Sequence, residues 1–256
     1  MSQVETERAA GYAVLRLNDP GRRNIISLPL VDAIESALDE LEKEASVQAV
    51  IITGNGTAFC AGADLADLEA ARDGETAGLK RIYDGFLRVA DSPLLTIAAV
   101  NGPAVGAGMN LALACDLRVA GRAARFDTRF LDLALHPGGG HTWMLHRAVG
   151  WQTSVAMLLL GQVLDGEEAA RHGLVWQCVD DDRLGEAAEA LAARAGGYPN
   201  ELLQRSKRSL IASAAGLSHA EAVLREYEDQ VWSLGQPEFG EFLERIRARM
   251  SGGRKR

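Results

Sequence analysis

The chain has 256 residues, 47% of them hydrophobic and 24% charged, which is the balance of a soluble globular protein with a substantial core. Its formal net charge of −8 argues against nucleic acid as a main partner, and no apolar run reaches transmembrane length, so no membrane partner is expected. There is no apolar signal core near the start, and the three cysteines, Cys60, Cys115 and Cys178, have no metal-binding spacing; a cytoplasmic protein with reduced thiols and no structural metal is expected.

Residues 12–17 alternate loosely and predict a strand, and Asn18-Asp19-Pro20-Gly21 is turn chemistry. Leu30, Ile34, Leu38 and Leu41 recur at helical spacing and predict a helix over 29–45. Val50-Ile51-Ile52 reads as a buried strand that Gly54-Asn55-Gly56 ends. Asp64 is placed to cap a short helix with Asp67 in its first turn, and a second helix is expected near 76–91. Residues 95–100 predict a strand, 109–116 an Ala- and Leu-rich helix, and 117–120 another strand. This alternation means α/β with parallel pairing. From about residue 165 the character changes. One strand-like run over 175–179 precedes helical patterns near 183–195, 200–214, 218–234 and 238–250, and the tail 251–256 is expected to fray. The expected division is an α/β core over 1–195 and a helical region over 196–256 that packs on the core or on neighbouring subunits.

Two glycine-rich turns stand out: Phe59-Cys60-Ala61-Gly62-Ala63-Asp64-Leu65 and Asn101-Gly102-Pro103-Ala104-Val105-Gly106-Ala107-Gly108-Met109-Asn110. Each follows an apolar run and precedes a helix-like run. Turns of this kind expose backbone N–H groups at a helix N-terminus, where developing negative charge is stabilised. Either alone would be a tight connection and nothing more; the pair suggests a cradle of two N–H groups for one carbonyl oxygen. In form the two turns resemble those of the crotonase family, the enoyl-CoA hydratases and isomerases. Asn18 to Asn24, Leu135-His136-Pro137-Gly138-Gly139-Gly140, Val149-Gly150 and Gly161 fit the same pattern.

The resemblance implies an α/β fold, a crotonase-like spiral of ββα units with a C-terminal helical oligomerisation region, assembled as a homotrimer or a dimer of trimers. It implies an acyl-CoA or enoyl-CoA thioester as substrate, with coenzyme A part of the substrate and no separate cofactor. By position, the backbone N–H groups of Ala63 and Ala107 would form the oxyanion hole. The carbonyl of Ala61 would meet the adenine amine, and Phe242 and Arg245 would reach the CoA from a neighbouring subunit. Arg22 and Arg23, in the matching early segment, are candidates for the CoA phosphates; Lys80 and Arg81 are weaker ones.

The chain departs from the family where hydratases carry two glutamates: here the positions hold Asn110 and Phe130, neither of which exchanges a proton under ordinary conditions. The usual hydration mechanism does not transfer. Nor does an isomerase aspartate, because Gly138 follows Pro137. Asn110 is a candidate for positioning a water or a polar substrate group. Asp132 and His141 are the candidate replacement acids or bases, with His136 behind them. Asp132 reads otherwise as an ion-pair carboxylate near Arg129, Asp127 as a helix cap and His141 as a residue at a helix entrance. Cys60 reads as a small buried side chain, Glu69 as solvated, and the four tryptophans as core or interface packing. Besides hydration, the open readings are isomerisation, thioester hydrolysis or decarboxylation through other acid–base residues, and a non-catalytic acyl-CoA binder. A dinucleotide enzyme is disfavoured because Gly102, Gly106 and Gly108 lack the Gly-x-Gly-x-x-Gly spacing.

Overall fold

A computed structural model describes residues 2–252. In chain order its strands are β1 (Val4–Ala9), β2 (Gly11–Leu17), β3 (Val47–Gly54), β4 (Leu95–Val100), β5 (Pro103–Val105), β6 (Leu117–Gly121), β7 (Arg125–Asp127), β8 (Leu164–Asp165) and β9 (Gln177–Val179). The helices are α1 (Leu28–Leu41), α2 (Leu65–Arg72), α3 (Ala77–Ala90), α4 (Ala107–Ala114), α5 (His141–Leu160), α6 (Gly166–Arg171), α7 (Leu184–Ala195), α8 (Asn200–Ala214), α9 (His219–Leu234) and α10 (Pro237–Gly252). Two compact units divide the chain, residues 1–197 and 198–256. Among the described residues no helix is long and apolar enough to cross a membrane.

The larger sheet of the first unit runs β1-β2-β3-β4-β6-β9, and every pairing but β1–β2 is parallel. Its centre is β3, which is buried along almost its whole length and therefore reads as a continuous apolar run. Val14 pairs with Ile51, and Ile51 with Ile97. Strand β1 was not expected. Only Val4 of its six residues is buried and the rest are mostly charged, so it has the signature of an edge strand rather than an apolar period. A smaller sheet, β5-β7-β8, stands beside the first. The chain climbs between them in repeated strand–strand–helix turns. In β4–β5–α4 and β6–β7–α5 the first strand joins the large sheet and the second joins the small one. These second strands have only three residues each, too few to show a period in sequence.

Helix α1 begins after Ser27 with Pro29 in its first turn and buries Leu30, Val31, Ile34, Leu38 and Leu41 at helical spacing. It packs on α3, which packs on α4, while α7 packs along β2, β3, β4 and β6. Ion pairs fasten the α1–α3 seam: Arg81 meets Asp32 and Glu35, and Arg88 meets Asp39 and Glu42. Arg81 is thereby engaged in the fold, and Lys80 is exposed. Helix α5 is interrupted at Gly150 (φ 72°, ψ −179°), one of the glycines noted in the sequence. The segment expected to be a turn and helix capped by Asp127 is instead β7 followed by a 3-10 turn over Leu131–Leu133. Asp127 is a buried strand residue bound to Arg129. Trp143, Trp151 and Trp176 are exposed rather than core residues of the chain, Arg147 lies over the Trp143 ring, and Trp232 is half-buried.

In the second unit α8 packs on α9, tied by Arg205 Nη1 to Asp229 Oδ1 at 2.7 Å, with the Arg205 guanidinium over Trp232. A capping box at Ser218 and Glu221 starts α9. Ser251 and Gly252 belong to the last turn of α10; residues 253–256 of the tail expected to fray lie outside the described residues.

Asn24 anchors the early turn. It is buried, takes a positive φ of 56° that Asn tolerates, donates Nδ2 hydrogens to the carbonyls of Asn55 and Ala58, and accepts from the N–H of Asp19, all at 2.9 Å. Replacing it removes the partner of the Asp19 N–H and of the Asn55 carbonyl, and the shorter of two bonds to the Ala58 carbonyl, which Asn101 Nδ2 also reaches at 3.4 Å. Asn24→Ala should therefore lower stability by about 2–4 kcal/mol in urea unfolding. Arg8→Ala, which breaks an exposed pair with Glu44, should cost less than about 1 kcal/mol. Equal, small losses would contradict the anchoring role.

Candidate active site

The two glycine-rich turns are held together by main chain. An isolated parallel bridge pairs Cys60 with Ala104: the Cys60 N–H donates to Pro103 O at 3.1 Å, and the Val105 N–H donates to Cys60 O at 3.0 Å. A second bridge pairs Ile26 with Ala63 through Gly62 O and the Asp64 N–H. Because bridge bonds use the groups flanking Ala63, its own N–H faces away and has no partner among the described residues. The Ala61 carbonyl is unbonded for the same reason. Ala107 is the first residue of α4, where an N–H has no intrahelical acceptor, and it too is unpaired. Gly106 turns the chain into that helix with φ 50° and ψ −113°. Gly108 lets α4 close against the first turn, since a Cβ there would sit 2.1 Å from Cys60 O.

Ala61, Ala63 and Ala107 line one cavity of about 130 Å³. Its walls are Leu65 and Leu68 of α2, Leu79, Ile82 and Tyr83 of α3, and Phe130, Leu133 and Leu135. No Asp or Glu is among the lining residues. Asp64 caps α2 by accepting the Ala66 N–H, and the Arg22 guanidinium, 2.6 Å away, with that N–H holds its carboxyl below the usual carboxylate range. Cys60 is fully buried, and burial pushes its thiol up to about 12, so it stays protonated.

Asn110 lines the cavity while only 1% exposed. Its Nδ2 donates to Gly138 O at 3.1 Å, which turns Oδ1 toward His141 Nδ1 at 2.7 Å. Oδ1 can only accept, so Nδ1 carries the imidazole proton. His141 Nε2 is then an unprotonated, buried nitrogen without a partner. The ring is 1% exposed and edge-on to Phe130 at 4.9 Å, and burial pushes its pKa down to about 4. His141 is thus neither a surface residue nor a lining residue of the cavity; it stands behind Asn110. Asp132 is not brought in either. Its side chain is 67% exposed, 3.9 Å from Arg129, and outside the lining. His136 lines the rim, where its Nδ1 lies 2.8 Å from Pro137 O.

Of the candidate CoA contacts, Arg22 is paired with Asp64, and Arg23 is exposed with φ 56° while its carbonyl accepts the Ala61 N–H. Phe242 and Arg245 share α10 in the second unit, the guanidinium 4.0 Å from the ring centre. Sequence reasoning passed over Tyr83. The signal was present: Leu79, Ile82, Tyr83 and Phe86 follow i, i+3, i+4, i+7 spacing on one face of α3. Among the described residues no three His, Cys, Asp or Glu side chains gather as a metal site.

The family model for enoyl-CoA hydratase/isomerase matches residues 7–233. A probable enoyl-CoA hydratase of Mycobacterium tuberculosis is 47% identical over 233 residues, covering 89% of this chain and 90% of its own. The 1,2-epoxyphenylacetyl-CoA isomerase of Escherichia coli is 36% identical over 194 residues, 74% of each chain. Among solved structures, an enoyl-CoA hydratase from Bacillus anthracis superposes with a TM-score of 0.89 at 27% identity, covering 96% of both chains. Two tied turns, the spiral of strand–strand–helix units and these similarities lead to one conclusion: the chain belongs to the enoyl-CoA hydratase/isomerase family.

Proposed function

We propose that the protein acts on acyl-CoA or enoyl-CoA thioesters, with the thioester oxygen held between the N–H groups of Ala63 and Ala107 while negative charge develops on it. One observation carries this reading: two main-chain N–H groups without partners among the described residues belong to residues that line a single, largely apolar cavity of about 130 Å³. Donors fixed by the fold need no reorganisation as charge moves onto the oxygen, and each is typically worth about 3–4 kcal/mol of barrier. The unbonded Ala61 carbonyl supports a role toward the adenine amine, and Arg22 and Arg23, with Phe242 and Arg245 from a neighbouring copy of the chain, are proposed for the rest of coenzyme A, which is part of the substrate; no other cofactor is proposed. Relatives named as hydratase and as isomerase, both of CoA thioesters, agree with an enolate-type step.

Asn110 and Phe130 stand where hydratases place glutamates, and no carboxylate lines the cavity. Two-glutamate hydration is therefore not proposed. Asn110 orients the acyl group, and neutral His141 holds Asn110 in place. The acid-free wall also favours a second reading, an acyl-CoA binder without turnover. Exposed Trp151, Trp176 and Leu160 support association between copies as a homotrimer or dimer of trimers.

Turnover of crotonyl-CoA and other thioesters, followed beside calorimetric binding, separates the readings. Ala107→Pro deletes one donor at a helix position that tolerates proline, and should lower turnover about 100-fold or more with circular dichroism unchanged. Asp132→Ala should leave turnover unaltered. Binding without turnover of any thioester selects the binder, and absence of acyl-CoA binding overturns both.

Burial of His141 also sets a pH dependence. Its folded-state pKa lies below the unfolded value, so the unfolded chain takes up the proton first as pH falls. Stability should be undiminished by this group above about pH 6.5, decline from there to about pH 4, and level off below, a loss of about 3 kcal/mol. Urea titrations across this range should show the slope, and His141→Gln should reduce it.

A further inference from the structure

Five polar side chains line the cavity, and four are engaged. Thr128 Oγ1 donates to Met157 O, Arg129 binds Asp127, His136 meets Pro137 O, and Asn110 lies between Gly138 and His141. Tyr83 is the exception: its hydroxyl makes no hydrogen bond to any described residue. Its ring is tilted against Phe86 with centroids 5.8 Å apart. The hydroxyl presses on Gly138, where an added Cβ would sit 2.1 Å from Oη. Gly138 is also the residue whose carbonyl takes the Asn110 Nδ2 hydrogen, so phenol and carboxamide both approach this one glycine at a corner of the cavity.

The hydrogen-bonding sense of Asn110 in that corner is fixed. His141 occupies Asn110 Oδ1, so Asn110 has only its second Nδ2 hydrogen left to offer. Burial raises the Tyr83 phenol above its ordinary value, which keeps it a neutral hydroxyl with a hydrogen to donate. The free Asn110 hydrogen and the Tyr83 hydroxyl together suit an oxygen that accepts two hydrogen bonds, and the Arg129 guanidinium that also lines the cavity is bound to Asp127. A volume of about 130 Å³ holds about four water-sized groups, so that oxygen must sit close to the thioester end of the acyl group.

We infer that Tyr83, with Asn110 beside it, forms a subsite for an oxo or hydroxyl oxygen near the thioester, and selects oxygenated acyl groups over plain ones. This rests on the thioester reading above. A site built to hydrogen-bond an oxygen discriminates against the analogue lacking it, because its own donors are then left unpaired.

The test is calorimetric titration of the wild type and Tyr83→Phe with acetoacetyl-CoA and butyryl-CoA, which have equal chain length and differ by one oxygen at carbon 3. The wild type should bind acetoacetyl-CoA about tenfold more tightly. Tyr83→Phe should lose most of that preference while its butyryl-CoA affinity stays within about twofold. A preference unchanged in the variant, or absent from the wild type, overturns the subsite. Loss of affinity for both thioesters in the variant assigns Tyr83 to packing and also overturns it. A wild type that binds neither thioester overturns the thioester reading itself, and the subsite with it.

Discussion

The site depends on one main-chain bridge between Cys60 and Ala104. It ties the turn after β3 to the turn after β4, and two parallel strands thereby deliver two helix entrances to one place. Closure is tight enough that Gly108 of α4 leaves no room for a methyl group against the Cys60 carbonyl. The donors that result are peptide N–H groups, fixed by backbone torsions rather than rotamers. Such groups cannot swing to meet another partner, which is why they remain unpaired beside an apolar cavity.

Around this cradle the wall holds no carboxylate, and its Arg129 is bound to Asp127. Phe130 presents an edge contact to His141, and the buried imidazole is hydrogen-bonded to the Asn110 carboxamide. Burial disfavours the imidazolium, and Asn110 Oδ1 fixes the tautomer, so charge is excluded from this side of the cavity. The carboxylates nearest in sequence are spent elsewhere: Asp127 on Arg129, Asp64 on Arg22 and a helix cap, Asp132 toward solvent.

Much of this was legible in the sequence. Strands β3 and β4 announced themselves because buried parallel strands are continuously apolar, β2 by a loose alternation, and α1, α3 and α7 to α10 because their period is helical. The glycine pattern marked both turns, since only glycine meets a positive φ at Gly106 and a backbone contact at Gly108. Less was legible where elements were short or charged. Strand β1 hides its pairing under glutamates and arginines, and β5, β7 and β8 are two or three residues long.

Residue order by itself determined the family, the alternation of strands and helices, and the absence of glutamates at positions 110 and 130, because each is a matter of residue type at a given spacing. Tertiary structure alone decided which side chains share the cavity. Asp132 is two residues from Phe130 yet faces water, whereas Tyr83 and Gly138 meet across 55 positions of chain. The physical reason is that a 3-10 turn and a strand point neighbouring residues in directions that no spacing rule for a regular helix anticipates, while contact between distant segments follows from how whole elements pack.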